Sequence, residues 1–446
     1  MTSHVHPVPR PDITQKRAVT TNPKHFSPTW CGQWEASDST LREAVEPISD
    51  LAHYDRARLL VRFHAEPLGF LEVATPGGVL DEAAIAARAQ KEFGELIRRH
   101  RERDSELLGN APVGDPVTPT CARSTADTSV TVGVCTRNRP ETLRACLIDL
   151  QRLVYPSLEI LVVDNAPSDD STMEVVLSAQ AADPRIRYVR EPRPGLSCAR
   201  NRAVAEAKGT LLAFTDDDVA VDPLWVDSLV DAFVSDDIWC VTGLVPTAIL
   251  DGVAEAYFDA RVNWGDRCES RRYDLDSSRV ADALYPFSAG LFGTGANFAC
   301  RTNVLRELGG FDEALGAGTL TAGGEDLDIY VRVLFGGGAI QYEPSAIVWH
   351  KHRADLENLA QQMYAHGTGM SAFLSKQLAD PKHRWALLSR VPIGVRKLVV
   401  AMRSTTSSLE WADEVAPVLL RKELRGMAAG PLLYRRARRR IPARRG

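Results

Sequence analysis

Between Ser129 and Val245 the chain changes its hydrophobic period again and again, and this alternation limits its fold more than any other feature. Short apolar runs, SVTVGVC, LEILVVDN, IRYVRE, TLLAFTD and WCVTGLV, read as strands. Between them lie PETLRACLIDLQRL, SDDSTMEVVLSAQAA, LSCARNRAVAEAKG and DPLWVDSLVDAFVS, which read as helices. Pro140 opens the first helix, Gly209 ends the third, and Asp222 with Pro223 caps the fourth. Strands joined by helices of this length need right-handed crossovers, so the expected fold is α/β with a parallel, doubly wound sheet. Ligands of such sheets bind at the carboxyl ends of the strands.

Three of those ends carry polar or ionisable groups: Thr136 and Arg137, Asp164 and Asn165, and Asp216 to Asp218. Three adjacent carboxylates repel one another unless water or a cation screens them. Residues i and i+2 of an extended backbone share a side, so Asp216 and Asp218 converge while Asp217 turns away and should tolerate change best. Two convergent hard oxygens suit Mg or Mn with a phosphate completing the shell, although a solvated turn explains the same run. Asp222 is assigned to helix capping. Arg193, Arg200 and Arg202 surround a helix start at Gly195–Ser197, where anions are favoured, and surface arginines are the bland alternative. The chain has no GxxxxGK[ST] loop and no GxGxxG after the first strand, which argues against Walker-type and dinucleotide enzymes.

A second acidic cluster follows in GGFDEALGAGTLTAGGEDLDIYVRVLFGGG, where Glu325, Asp326 and Asp328 open an amphipathic helix. The helix dipole explains one acid comfortably and three less so. Downstream, AIQYEPSAIVWHKHR reads as a strand pair ending in His350 and His352 on one face, and imidazole can complete an oxygen-rich divalent site.

Outside this region the signals are weaker. ARLLVRFHAEPLGFLEVATPGG reads as two strands around a turn at Glu66-Pro67-Leu68-Gly69, followed by an amphipathic helix opened by Asp81. Eight scattered cysteines without a CxxC pair read as reduced thiols. The N-terminus lacks the apolar core of a signal peptide. WALLSRVPIGVRKLVVAM is cut by Arg390, Arg396 and Lys397, too many charges for a spanning helix. The final seventeen residues carry seven arginines and no acid, which suits either a frayed, solvated end or an anionic surface.

In this order and spacing, CTRNRPETLRACL, LEILVVDNAPSDDST, RPGLSCARNRAVAEAKGTLLAFTDDDVAVDPLW, GTGANFACR and the long segment from Gly309 to His352 resemble the inverting family-2 glycosyltransferases of the GT-A fold. The resemblance implies a Rossmann-like, mostly parallel sheet flanked by helices. It covers roughly Ser129 to Arg353. Thr136, Arg137 and Asp164 would hold base and ribose of the donor, with Arg200, Asp216 and Asp217 completing the donor set. Asp216, Asp218 and His350 would hold Mn or Mg, with His352 as a substitute for His350. Asp326 would be the general base, paired with Glu325. Ala203 stands where many relatives have glycine.

The resulting expectation is a disordered stretch over 1–26, a small α+β module over 27–104 and a linker over 105–128. A GT-A domain follows over 129–353, then a helical C-terminal region with a basic tail over 354–446. The expected reaction moves one sugar from a UDP-, GDP- or dTDP-sugar to the hydroxyl of a lipid-linked or small-molecule acceptor, with no nucleic acid involved. A sugar-phosphate nucleotidyltransferase is the alternative, and a non-catalytic scaffold a third. No QxxRW motif of processive synthases is present. The expected location is cytoplasmic, with peripheral contact to the inner membrane face and a homodimer through the tail helices both left open.

Overall fold

The computed structural model describes residues 26–44, 51–108, 128–262, 265, 267–288, 290–394, 396 and 415–441. The expected disordered start, most of the linker and the last five residues lie outside them. In chain order the elements are β1 (Thr29–Glu35), β2 (Thr40–Glu43), β3 (Arg56–Phe63), β4 (Glu66–Ala74) and α1 (Glu82–Leu108). Next come β5 (Val130–Thr136), α2 (Pro140–Gln151), β6 (Leu158–Asn165), α3 (Ser171–Ala182), β7 (Ile186–Glu191) and α4 (Leu196–Glu206). They are followed by β8 (Leu211–Thr215), β9 (Val219–Val221), α5 (Trp225–Asp231), β10 (Ile238–Leu244), α6 (Val253–Val262), β11 (Arg271–Tyr273) and β12 (Asn297–Arg301). The series closes with α7 (Thr302–Glu307), α8 (Glu325–Phe335), β13 (Ala339–His350), α9 (Leu356–Ala379), α10 (Pro381–Leu388) and α11 (Ala416–Arg440).

The large sheet runs β11-β13-β10-β12-β8-β5-β6-β7, with β9 paired to β13. β8, β5, β6 and β7 are mutually parallel, as are β10 and β13, while β12 is antiparallel to both its neighbours. The central strands are buried on both faces. Val132, Val134, Ile160 and Val162 pack into one core beneath α2, α3 and α5, while Leu161, Val163, Leu212 and Phe214 pack into the other beneath α4 and α8. From β5 the chain builds outward through β6 and β7, then returns by α4 to place β8 on the other side of β5. The reversal opens a crevice between the carboxyl ends of β5 and β8.

Several local expectations change. The N-terminal sheet has four strands in the order β2-β1-β3-β4, and the sequence reading missed the first two. The β3–β4 turn falls at His64–Ala65, both with positive φ, ahead of the expected Glu66–Gly69 turn, because Pro67 and Gly69 are accommodated within β4 by a register shift. Helix α1 runs through Leu108, into the stretch assigned to the linker. β13 is one long strand, not a pair: a bulge opposite Gly243 and Leu244 absorbs the Glu343-Pro344-Ser345 segment. Among the described residues no helix is long and apolar enough to cross a membrane.

Candidate active site

Thr136 ends β5 and Thr215 ends β8, so the acids after β8 emerge at the crevice. The chain then forms β9, whose Val219 pairs with His350 of β13. That pairing brings an imidazole from far along the chain beside Asp218, with His350 Nε2 3.7 Å from Asp218 Oδ1. Asp216, Asp218 and His350 each offer an atom within 4.8 Å of the others. Two carboxylate oxygens and one nitrogen form a donor set that fits a hard divalent ion such as Mn or Mg.

Asp217 differs from the expectation. Alternation does turn it away from its neighbours, but into the protein: Thr136 Oγ1 donates to its Oδ2 at 2.7 Å and Arg139 Nη1 to its Oδ1 at 2.8 Å. The same Arg139 nitrogen reaches Asp218 Oδ2 at 3.0 Å. Arg139 therefore joins two of the three aspartates. The sequence reading passed over it, and its only signal was its place just before Pro140. Burial, then repulsion from Asp218, pushes the Asp217 carboxyl up to about 6. Burial and Asp218 raise Asp216 too. For Asp218 the burial effect is outweighed by His350 and Arg139, which hold it below the usual carboxylate range.

The opposite wall comes from the start of α8, where the three acids separate into three roles. Glu325 is buried against Arg200, Nη1 to Oε1 2.9 Å, and burial, partly offset by Arg200, raises it to about 7. Asp328 is fully buried and bonded by Arg332, Lys376 and Gln377. Asp326 is the more open of the two acids that line the crevice, held by the backbone N–H of Gly295 at 2.9 Å on Oδ2 and of Leu327 at 2.8 Å on Oδ1. A Cβ at position 295 would stand 2.9 Å from Arg200 Nη2 and 3.1 Å from Asp326 Oδ2, so glycine is what lets that amide approach.

Two cavities meet at Asp326. One, of about 400 Å³, is lined by Thr136, Arg137, Arg139, Asn165, the three aspartates and His350. The other, of about 450 Å³, runs between α6, α8, α9 and α11 past Arg261, His366, Glu423 and Met427. Both include Glu325, Asp326 and Gln362.

Other candidates are placed differently. Asp164 is fully buried beneath the crevice, bonded by Tyr188 at 2.9 Å, and its neighbour Asn165 reaches the lining instead. Arg200 is also buried; it donates to Gly295 O and Glu325, surrounded by Phe214, Phe298 and Phe311, with Asp216 3.9 Å away. It joins the two walls and still contributes to the lining of the first cavity. Arg193 pairs with Glu191 and Glu313, and Arg202 with Glu206, as the bland reading had it. His352 bonds Thr247 at 2.8 Å and is driven down to about 3, by burial first and then by His350. It is turned out of the cluster that His350 joins. Asp222 does not cap α5, which starts at Trp225; it accepts Leu224 N–H and forms a 2.6 Å buried ion pair with Arg62.

Residues 131–309 match the family described as Glycosyl transferase family 2. The doubly wound sheet, with its antiparallel β12, is the mostly parallel, helix-flanked α/β architecture expected from the sequence. The chain is similar to the pre-mycofactocin glycosyltransferase of Mycobacterium tuberculosis, 26% identical over 255 residues, covering 57% of this chain and 48% of that protein. It is also similar to the succinoglycan biosynthesis protein ExoM of Rhizobium meliloti, 29% identical over 267 residues, covering 57% of this chain and 78% of that protein. This chain thus spans about half the length of the mycobacterial relative. Among solved structures, a mannosyltransferase from Pyrobaculum calidifontis in complex with GDP-Man and Mn2+ aligns with a TM-score of 0.47 at 18% identity, over 78% of this chain and 98% of that one.

Proposed function

We propose that this chain is an inverting glycosyltransferase that moves one sugar from a nucleoside-diphosphate sugar to an acceptor hydroxyl. The observation that carries the reading is the position of Asp326 where two cavities meet, one rich in acids and arginines and one walled by the C-terminal helices. The donor lies in the first cavity, its nucleotide against Thr136, Arg137 and Asn165. Asp216, Asp218 and His350 would hold Mn or Mg, which when bound supplies positive charge to the departing diphosphate. Arg139 and Arg200 keep the carboxylates of that wall in place. The acceptor reaches the anomeric carbon from the second cavity, on the face opposite the leaving group, so the configuration inverts. Asp326, fixed by two amide donors, takes the acceptor proton, a role worth roughly a hundredfold to ten-thousandfold in rate. Glu325, tied to Arg200, orients the start of α8. Lipid-linked acceptors fit the exposed arginines Arg435, Arg436, Arg439 and Arg440 of α11, a surface for peripheral contact with anionic membrane.

The test is a donor panel with Mn, reading nucleoside-diphosphate release, followed by Asp326→Asn. We expect one nucleotide sugar to be hydrolysed slowly without acceptor. The variant should bind it with near-native affinity and lose transfer by at least about a hundredfold. Absence of donor turnover, or pyrophosphate release from a nucleoside triphosphate and a sugar phosphate, would sink the reading.

A further inference from the structure

We infer a second metal site, of zinc type, in the N-terminal module, formed by His64, His100 and Asp104. One ligand atom from each lies within 4.8 Å of the others, on residues unrelated to the sugar-transfer site. His100 and Asp104 are spaced i, i+4 on α1 and so share a face, and the β3–β4 turn at His64–Ala65 presents the third group to them. His64 Nδ1 is 2.8 Å and His100 Nε2 3.2 Å from Asp104 Oδ2. Four ligands around zinc at about 2.0 Å stand roughly 3.3 Å apart, so small side-chain shifts complete the geometry.

His100 is the residue that asks for an occupant. It is 5% exposed, and its buried Nε2 has no hydrogen-bond partner among the described residues, because Asp104 stands near it but outside hydrogen-bond alignment. Its Nδ1 has Glu66 Oε2 at 3.1 Å and Arg103 Nη2 at 2.9 Å. If Nδ1 carries the proton and donates to Glu66, Nε2 turns a bare lone pair toward a carboxylate oxygen. If Nδ1 accepts from Arg103, Nε2 carries a buried hydrogen with no acceptor in line. Either tautomer leaves an orphan that a cation between His100 and Asp104 resolves. The first tautomer is also what a ligating imidazole adopts, its outer N–H held by a carboxylate, here Glu66. Two imidazoles and one carboxylate favour zinc over the harder ions suited to the crevice, and a water takes the fourth position. No reaction is assigned to the site: bound zinc clasps the β3–β4 turn to α1.

The experiment uses the full chain carrying Asp218→Ala, so that the crevice acids do not report. After chelation and removal of the chelator, Co2+ is titrated and the visible d–d bands are followed, with Zn2+ competition and thermal unfolding in parallel. We expect one equivalent of Co2+ to give tetrahedral-type bands, Zn2+ to displace it and to raise the unfolding temperature. His100→Gln should abolish the bands. Glu66→Gln should weaken binding about ten- to a hundredfold. Should His100→Gln fail to fold, His64→Gln, at the less buried turn, carries the same comparison. No bands and no Zn2+-dependent stabilisation in the parent, or the same binding in parent and ligand variants, would overturn the site.

Discussion

Asp218 and Asp222 lie four residues apart and carry the same side chain, yet their surroundings give them opposite uses. Asp222 Oδ2 meets Arg62 Nη1 at 2.6 Å with both side chains at least nine-tenths buried. Removing one partner of such a pair leaves the other charge without compensation and costs about 3–5 kcal/mol. Asp222→Ala should therefore lower the urea midpoint strongly while the folded fraction keeps near-native turnover. Asp218→Ala removes repulsion from Asp216 and Asp217 but also the pairing with Arg139 and His350, so it should change the midpoint far less than Asp222→Ala, with transfer largely lost. Equal effects of the two variants on stability would contradict this assignment. The sequence made Asp218 legible, because alternation along an extended segment is local. Asp222 was misread as a cap because its partner sits 160 residues upstream. Asp217 was misjudged for a related reason: the rule that turned it from the crevice does not reveal what waits on the other side.

At the level of elements, the strand and helix succession from β5 to β10, β9 excepted, followed directly from periodicity, because each element buries its own apolar residues. The pairing of β9 with β13 did not, since three residues of strand carry no recognisable pattern and the partner lies far along the chain. The crossing of α9 and α11 was hidden in the same way. Its seam is made of glycines: a Cβ on Gly367 would stand 2.1 Å from Glu423 O, and one on Gly426 would stand 2.2 Å from Tyr364 O. These obstacles are backbone atoms, so a side chain there must push the helices apart. Gly426→Ala is favourable for an isolated helix, yet here we expect a net loss of about 1–3 kcal/mol. Hydrogen exchange should show amides of α11 losing protection while those of β5 and β6 keep theirs. The same helices wall the second cavity, so acceptor saturation should weaken more than donor affinity. An unchanged or higher stability for Gly426→Ala would mean that the close crossing is not what holds α11 in place.

For the molecule as a whole, the N-terminal module is part of the folded body. Cys31 and Leu60 from its sheet share one core with Ala220, Leu244, Ile347 and Trp349 of the large sheet. Around that core Arg58 pairs with Asp259 at 2.8 Å, Tyr54 bonds Asp251, and Thr29 N–H donates to Leu250 O at 2.9 Å. Ala220 and Trp349 belong to β9 and β13, the two strands that set His350 beside Asp218, so the module supports the rear of the crevice. The sequence divided the chain at this point because composition changes there, and composition is blind to a core assembled from both sides of the division. The shared core implies that module and domain unfold together. Leu60 is fully buried within it, and Leu60→Ala should cost about 2–5 kcal/mol. Calorimetry of the full chain should give one transition, shifted as a unit by the variant, with amides of β3 and β13 losing protection in parallel. Two transitions, one of them indifferent to Leu60→Ala, would show that the module folds on its own and merely rests against the domain.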